Sequence, residues 1–246
     1  MTDQNDVDNM AGVEEIGRAF RDGLKGILGG KLVGAYIYGA TVFPETRYTG
    51  DIDFHVILGG PLTDNEREQL NDLHESMARE FPPLGKEMDG YYILLEDAKK
   101  KSPPKSQMWK QATDNSWALH REHIRAGRCI VLEGLDPRQL YPATSWNELE
   151  EGLRGELEYV ERHLVDYPAY CALNLCRLMY SFQTRDVVIS KTAAGLWAEG
   201  TYPQWSELIQ IAVKSYEGRA TPADDQFMLN QIPGLYNFAI EQIEDS

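Results

Sequence analysis

Cysteine is scarce in this chain, with three in 246 residues, at Cys129, Cys171 and Cys176. They are too few and too scattered for a disulfide framework, and no Cys-x-x-Cys pair marks a zinc site. Long apolar runs are missing too. None approaches the roughly 20 residues of a membrane span. The polar, acidic stretch from Met1 to Met10 lacks the basic start and apolar core of a signal peptide. A cytoplasmic protein without membrane contact is expected. Basic residues are the third scarcity. Lys plus Arg number 24 against 39 Asp plus Glu, a formal net charge of -15. Such a chain repels phosphate backbones, which excludes a sequence-nonspecific nucleic-acid binder and leaves cationic ligands attractive.

What is present falls into two parts. Val13, Ile16, Phe20, Leu24 and Ile27 recur at three- and four-residue spacing, which predicts an amphipathic helix over 11–28 ended by Gly29 and Gly30. Short β-rich runs bounded by glycines predict strands at Leu32–Tyr38 and Ile52–Leu58, with a third at Tyr91–Leu95. A helix over 64–80 lies between the second and third. After Ser145 the strand signal disappears. Leu149, Leu153, Leu157, Val160 and Leu164 keep helical spacing, and further helices are predicted at 169–184, 190–199, 204–217 and 223–243. The expected organisation is a flexible N-terminus (1–10), an α+β domain over 11–145 with a short mixed sheet flanked by helices, and an all-α helical bundle over 146–246. The acidity is denser in the bundle, which holds 7 basic against 16 acidic residues.

The chemistry concentrates in Tyr36-Ile37-Tyr38-Gly39-Ala40-Thr41, followed after a short gap by Asp51-Ile52-Asp53-Phe54-His55-Val56. Residues two apart on a strand share a face, so Asp51 and Asp53 stand side by side with Ile52 and Phe54 opposite. Two adjacent carboxylates repel each other unless a cation sits between them. A hard ion such as Mg²⁺ takes one or two carboxylates and completes its shell with water and substrate phosphate oxygens. The glycine turn ending the preceding strand exposes backbone N–H groups to which a phosphate can bind. The competing reading is two solvent-facing aspartates on an edge strand. Context favours the metal site, because the pair opens an otherwise apolar strand directly after a glycine turn.

This order and spacing resemble the nucleotidyltransferase superfamily with the DNA-polymerase-β-like core, whose pattern is a Gly-Ser turn followed by Asp-x-Asp. In the second part, Leu175-Cys176-Arg177-Leu178-Met179-Tyr180-Ser181 and Ser190-Lys191-Thr192-Ala193-Ala194-Gly195-Leu196-Trp197-Ala198 extend the resemblance over nearly the whole chain. They resemble the aminoglycoside 3''-adenylyltransferases of streptomycin and spectinomycin resistance. The resemblance implies an EC 2.7.7 transferase that moves AMP from ATP to a hydroxyl of a cationic acceptor with Mg²⁺, as two ions, and releases pyrophosphate; a cytoplasmic monomer is expected. It makes Asp51 and Asp53 metal ligands. It assigns Gly39, Ala40, Thr41, Arg177, Lys191 and Tyr216 to the nucleotide, and Trp117 and Asp166 to the aminoglycoside. Two positions depart from the pattern: the turn serine is Ala40, and the serine before the first aspartate is Gly50. Thr41 is the candidate replacement hydroxyl.

Nucleotidyl transfer also needs a base for the acceptor hydroxyl. In the resembling family it stands on the strand after the next helix, here Glu87-Met88-Asp89-Gly90. Both Glu87 and Asp89 qualify. Asp89 is favoured because it abuts the apolar strand and precedes a glycine that leaves room for substrate. Arg177 has a structural alternative, an ion pair with a glutamate of the bundle. Two functional alternatives stay open: the same chemistry on another small molecule or a protein side chain, and a catalytically idle ligand-binding member of the fold.

Overall fold

Strands form where the first part alternates around β-branched and aromatic residues. The structure, a computed structural model, describes residues 4–44, 51–109 and 116–246, with side chains from residue 12 onward. Gly50 lies outside the described residues. Strands β1 (Leu32–Tyr38) and β2 (Ile52–Leu58) have the predicted bounds and pair antiparallel. Strand β3 (Met88–Leu94) pairs parallel with β2, and β4 (Ile130–Glu133) pairs antiparallel with β1. The order β3-β2-β1-β4 makes the short mixed sheet expected of an α+β domain.

The sheet is covered on both faces. Helix α1 (Gln4–Leu28) sets Ile16, Phe20 and Leu24 against Ile37, Ile52, Phe54 and Val56, with Leu70 and Met77 of α2 (Asp64–Glu80) in the same cluster. Helix α1 starts at Gln4, whereas the sequence pattern predicts 11. A polar, acidic segment suits the positive end of a helix dipole but carries no apolar period by which to recognise it. Helix α2 begins at a capping box, in which the Thr63 side chain accepts from Glu66 N and the Glu66 carboxylate accepts from Thr63 N. On the other face the one-turn helices α3 (Leu95–Ala98) and α5 (Pro137–Leu140) and the longer α4 (Trp117–Arg125) close over Tyr36, Tyr38, Ile57 and Ile93.

Two elements differ from the sequence expectation. Strand β3 begins at Met88 instead of Tyr91, because pairing along the whole length of β2 overrides the poor strand propensity of Asp89 and Gly90. Strand β4 was not expected. It is short and half-exposed, and it exists by pairing with the edge of β1.

The chain divides into two compact units, Met1–Thr144 and Ser145–Ser246. The second is helical throughout its regular structure: α6 (Trp146–His163), α7 (Pro168–Thr184), α8 (Lys191–Thr201), α9 (Ser206–Tyr216) and α10 (Pro222–Glu244). Helix α7 is its core, with Cys171, Leu173, Leu175, Cys176, Leu178 and Met179 fully buried. Helix starts are set by side-chain caps. Ser145 with Glu148 and Thr221 with Asp224 form capping boxes, and Ser190 Oγ accepts from Ala193 N at 3.0 Å. Among the described residues, no helix is long and apolar enough to cross a membrane.

Candidate active site

Sheet register assembles the candidate carboxylates. Tyr38 on β1 pairs with Asp53 on β2, which pairs with Asp89 on β3, so the three form one row across adjacent strands. Neighbouring strands lie about 4.8 Å apart, which puts the Asp53 and Asp89 side chains on one face as immediate neighbours. Glu87 continues that face beyond the strand end: its carbonyl accepts from Ile52 N at 2.9 Å, beside Asp51. Asp51, Glu87 and Asp89 are exposed and Asp53 is half-buried. The result is an open patch of four carboxylates at one end of the sheet, whose mutual repulsion a hard cation would relieve. Among the described residues, no three His, Cys, Asp or Glu groups are gathered tightly enough to hold a metal ion by themselves.

The glycine turn touches this patch. Gly39 has φ 81°, in the left-handed region, and opens a 3-10 turn over Gly39–Val42. A Cβ at residue 39 would fall 1.8 Å from Asp53 Oδ2. Only glycine satisfies both the dihedral and the contact. The sequence-based role for the Thr41 hydroxyl is corrected: Thr41 is buried and its Oγ1 donates to the Tyr38 carbonyl at 3.1 Å, so it locks the turn and does not replace the serine of the resembling family. Gly90 is corrected as well. Its missing side chain accommodates β2, since a Cβ there would lie 2.1 Å from the Phe54 carbonyl oxygen and on the face away from Asp89.

Beneath the carboxylate row lies a second row, Tyr36–His55–Tyr91. His55 shares the face of Asp51 and Asp53 as alternation requires, yet it is fully buried, with rings of Tyr38 at 4.6 Å and Trp117 at 5.3 Å. Its Nδ1 lies 3.1 Å from Tyr141 Oη, while Nε2 has no hydrogen-bond partner among the described residues. Burial holds its pKa well below the usual imidazole range, and nearby His120 adds to that. His120 Nδ1 lies 3.1 Å from Tyr38 Oη, whereas His123 packs on Phe43. The two histidines three apart on α4 therefore serve different neighbours and form no zinc pair. Trp117, assigned to substrate by resemblance, is 1 % exposed and packs against His55, Tyr141 and Arg121. It is floor, with no open face for a ligand.

In the second unit three of the predicted residues form one cluster. Lys191, the first residue of α8, places Nζ 4.2 Å from the Tyr170 ring centroid and 5.6 Å from that of Tyr216. Arg177 Nη2 lies 3.4 Å from Glu156 Oε2, to which Asn174 Nδ2 also donates at 3.2 Å. The glutamate partner named as a structural alternative is thus present on α6. Sequence reading missed Tyr170, Asn174 and Glu156. Residues 170, 174 and 177 follow the i, i+4, i+7 spacing of one helix face, which is the signal that could have found the first two. Burial pushes the Tyr170 hydroxyl up, Glu156 pushes it further, and Arg177 opposes them. Asp166 stands apart from this cluster, exposed between α6 and α7.

Residues 140–238 match the family described as the aminoglycoside adenylyltransferase C-terminal domain. A spectinomycin 9-adenylyltransferase from Enterococcus faecalis is 23 % identical over 208 residues, covering 76 % of this chain and 80 % of that protein. The fold is shared with the solved enterococcal spectinomycin adenyltransferase AAD(9), crystallised with ATP and spectinomycin, at a TM-score of 0.69 and 20 % identity over 94 % of this chain and 99 % of the other. The match to that family is confined to residues 140–238, so the second unit is similar to the C-terminal domain of aminoglycoside adenylyltransferases.

Proposed function

We propose that this protein transfers AMP from ATP to a hydroxyl of an aminoglycoside-type antibiotic and releases pyrophosphate, acting as a cytoplasmic monomer. The observation that carries the reading is the row Asp53–Asp89 with Gly39 closed onto Asp53, in a chain that also bears the family's C-terminal domain. Asp51 and Asp53 would hold Mg²⁺, and the all-oxygen donor set at an open strand end fits that ion. When bound, Mg²⁺ neutralises charge on the phosphates and on the departing pyrophosphate. The chain's own groups do the rest. Gly39 and Ala40 offer backbone N–H groups to phosphate oxygens, Asp89 accepts the proton of the acceptor hydroxyl as that oxygen attacks the α-phosphorus, and Glu87 is the alternative base one position along the same face. Arg177 and Lys191 bind the triphosphate, and Tyr216 packs beside Lys191.

Spectinomycin is the favoured acceptor. The similar enterococcal protein is a spectinomycin 9-adenylyltransferase. The acidic surface suits a cationic acceptor, with Asp166 an exposed carboxylate for its amino groups. The test is mass spectrometry of spectinomycin, streptomycin and related drugs after incubation with protein, ATP and Mg²⁺. A mass gain of one AMP on spectinomycin, dependent on Mg²⁺, is expected. Unmodified drugs together with a labelled protein would favour a protein acceptor instead, and a gain of phosphate alone would make the protein a kinase.

A further inference from the structure

Helix α4 makes a polar contact with the end of the sheet that carries the carboxylates. His120 Nδ1 lies 3.1 Å from Tyr38 Oη, with the rings 5.1 Å apart. Tyr38 is 4 % exposed and is the last residue of β1. Every other part of it is already committed. Its backbone pairs with Asp53, its carbonyl accepts from Thr41 Oγ1, and its ring rests 4.6 Å from that of His55. The next residue is Gly39, whose absent side chain leaves the space that the Asp53 carboxylate occupies. A small rotation of the Tyr38 ring would therefore be transmitted through one peptide to the wall against which Asp53 rests. Close packing leaves no slack to absorb it.

The pairing is not explained by stability. A neutral hydrogen bond between two side chains contributes only about 1 kcal/mol net, and apolar residues of similar shape could fill the same volume. A buried, half-satisfied imidazole at His55 is the costlier choice for a core, because its Nε2 lacks a partner among the described residues. Polar groups kept under an active strand at such a cost set geometry.

We propose that His120 is a positioning residue: by holding the Tyr38 hydroxyl it fixes the Gly39 turn against Asp53, and so aligns that carboxylate for adenylyl transfer. The inference rests on the adenylyltransferase reading above. His120 acts through Tyr38 and does not itself meet substrate.

Four variants test it: Tyr38→Phe, His120→Leu, His120→Asn, and Tyr38→Phe combined with His120→Leu. Three quantities are read on each, namely binding of Mn²⁺ with ATP by electron paramagnetic resonance, kcat and acceptor KM for pyrophosphate release, and Tm. Tyr38→Phe and His120→Leu should each lower kcat about tenfold, the scale of a sub-ångström misalignment, and weaken Mn²⁺ binding while leaving acceptor KM unchanged. The double variant should be no worse than either single one, because both remove the same interaction. His120→Asn, which keeps a polar atom near Nδ1, should restore most of the loss at equal Tm. Parent-like kcat and Mn²⁺ binding in both single variants overturns the inference, as do losses that multiply in the double variant or an asparagine no better than leucine. A parent that binds Mn²⁺ with ATP but modifies no aminoglycoside overturns the adenylyl-transfer reading, and Mn²⁺ binding across the same variants then decides the positioning role. A parent that binds no Mn²⁺ with ATP overturns both.

Discussion

The carboxylate of Asp53 occupies the place that a side chain at Gly39 would need, with Oδ2 1.8 Å from the position of a Cβ there. Two constraints coincide at residue 39, a left-handed φ of 81° and this contact. Gly39→Ala should cost at least about 1–2 kcal/mol from the dihedral alone. It should also cut turnover by more than about a hundredfold, because Asp53 must move. Adding Asp53→Ala to Gly39→Ala should recover part of the stability, by relieving the contact, and none of the activity. Thermal denaturation and pyrophosphate release measured on the three proteins check this, and full stability in Gly39→Ala would show that the turn yields freely.

The four carboxylates at the sheet end should separate by role. Asp53→Asn should abolish Mg²⁺-dependent ATP binding. Asp89→Asn should keep ATP binding and lose about 10²–10⁴ in kcat, the range of a general base. Glu87→Gln should lose less, because Glu87 flanks Asp51 beyond the end of β3 whereas Asp89 pairs directly with Asp53. Calorimetric titration with ATP and Mg²⁺, paired with turnover assays, separates binding from chemistry. A Glu87 variant more impaired in kcat than the Asp89 variant would reverse the assignment.

How much of this was legible depended on whether a feature is decided locally. The bounds of β1 and β2 follow from short β-rich runs bounded by glycines and those of α2 from the helical period of Leu70, Leu73 and Met77, all of which act within a few residues, and they were read correctly. The Asp51–Asp53 pair was legible for the same reason. Strand β4 and the first residues of β3 were not, since partners distant in sequence hold them. Trp117 looked available to a ligand because a sequence does not say which face of α4 meets the sheet. Thr41 looked like a phosphate donor because its hydroxyl could not be seen committed to the Tyr38 carbonyl.

Arg177 carries a resident anion, since Glu156 Oε2 stands 3.4 Å away and both side chains are 22 % exposed. A triphosphate binding this guanidinium must compete with that carboxylate. Glu156→Gln keeps the shape and an acceptor for Asn174 Nδ2 while removing the charge. ATP affinity should therefore rise about three- to tenfold, with a small loss of stability from leaving the arginine without its counter-ion. Calorimetry at two salt concentrations measures both the gain and its electrostatic origin. A fall in affinity would mean that Glu156 holds Arg177 in its binding pose instead of masking it.

His74 predicts the acid limb of the stability curve. It sits among Phe20, Phe54 and Trp109, with Nε2 2.9 Å from Tyr92 Oη, and burial lowers its pKa from 6.5 to about 4. The unfolded chain therefore takes up a proton on this group near pH 6.5 while the folded chain resists until about pH 4. The sign follows: its contribution is fully present above about pH 6.5, declines as pH falls from there to about 4, and changes little below that. The loss should be on the order of 3 kcal/mol across the window. Paired replacement, His74→Leu with Tyr92→Phe, removes both polar partners without orphaning either. It should flatten urea-derived stability between pH 6.5 and 4 relative to the parent, leaving the decline below pH 4 that Glu66 and Asp224 produce. Their carboxyls are held at about 2, Glu66 chiefly by Lys31 and Asp224 chiefly by Lys214. An unchanged slope between pH 6.5 and 4 in the double variant would show that His74 is already protonated in the folded protein.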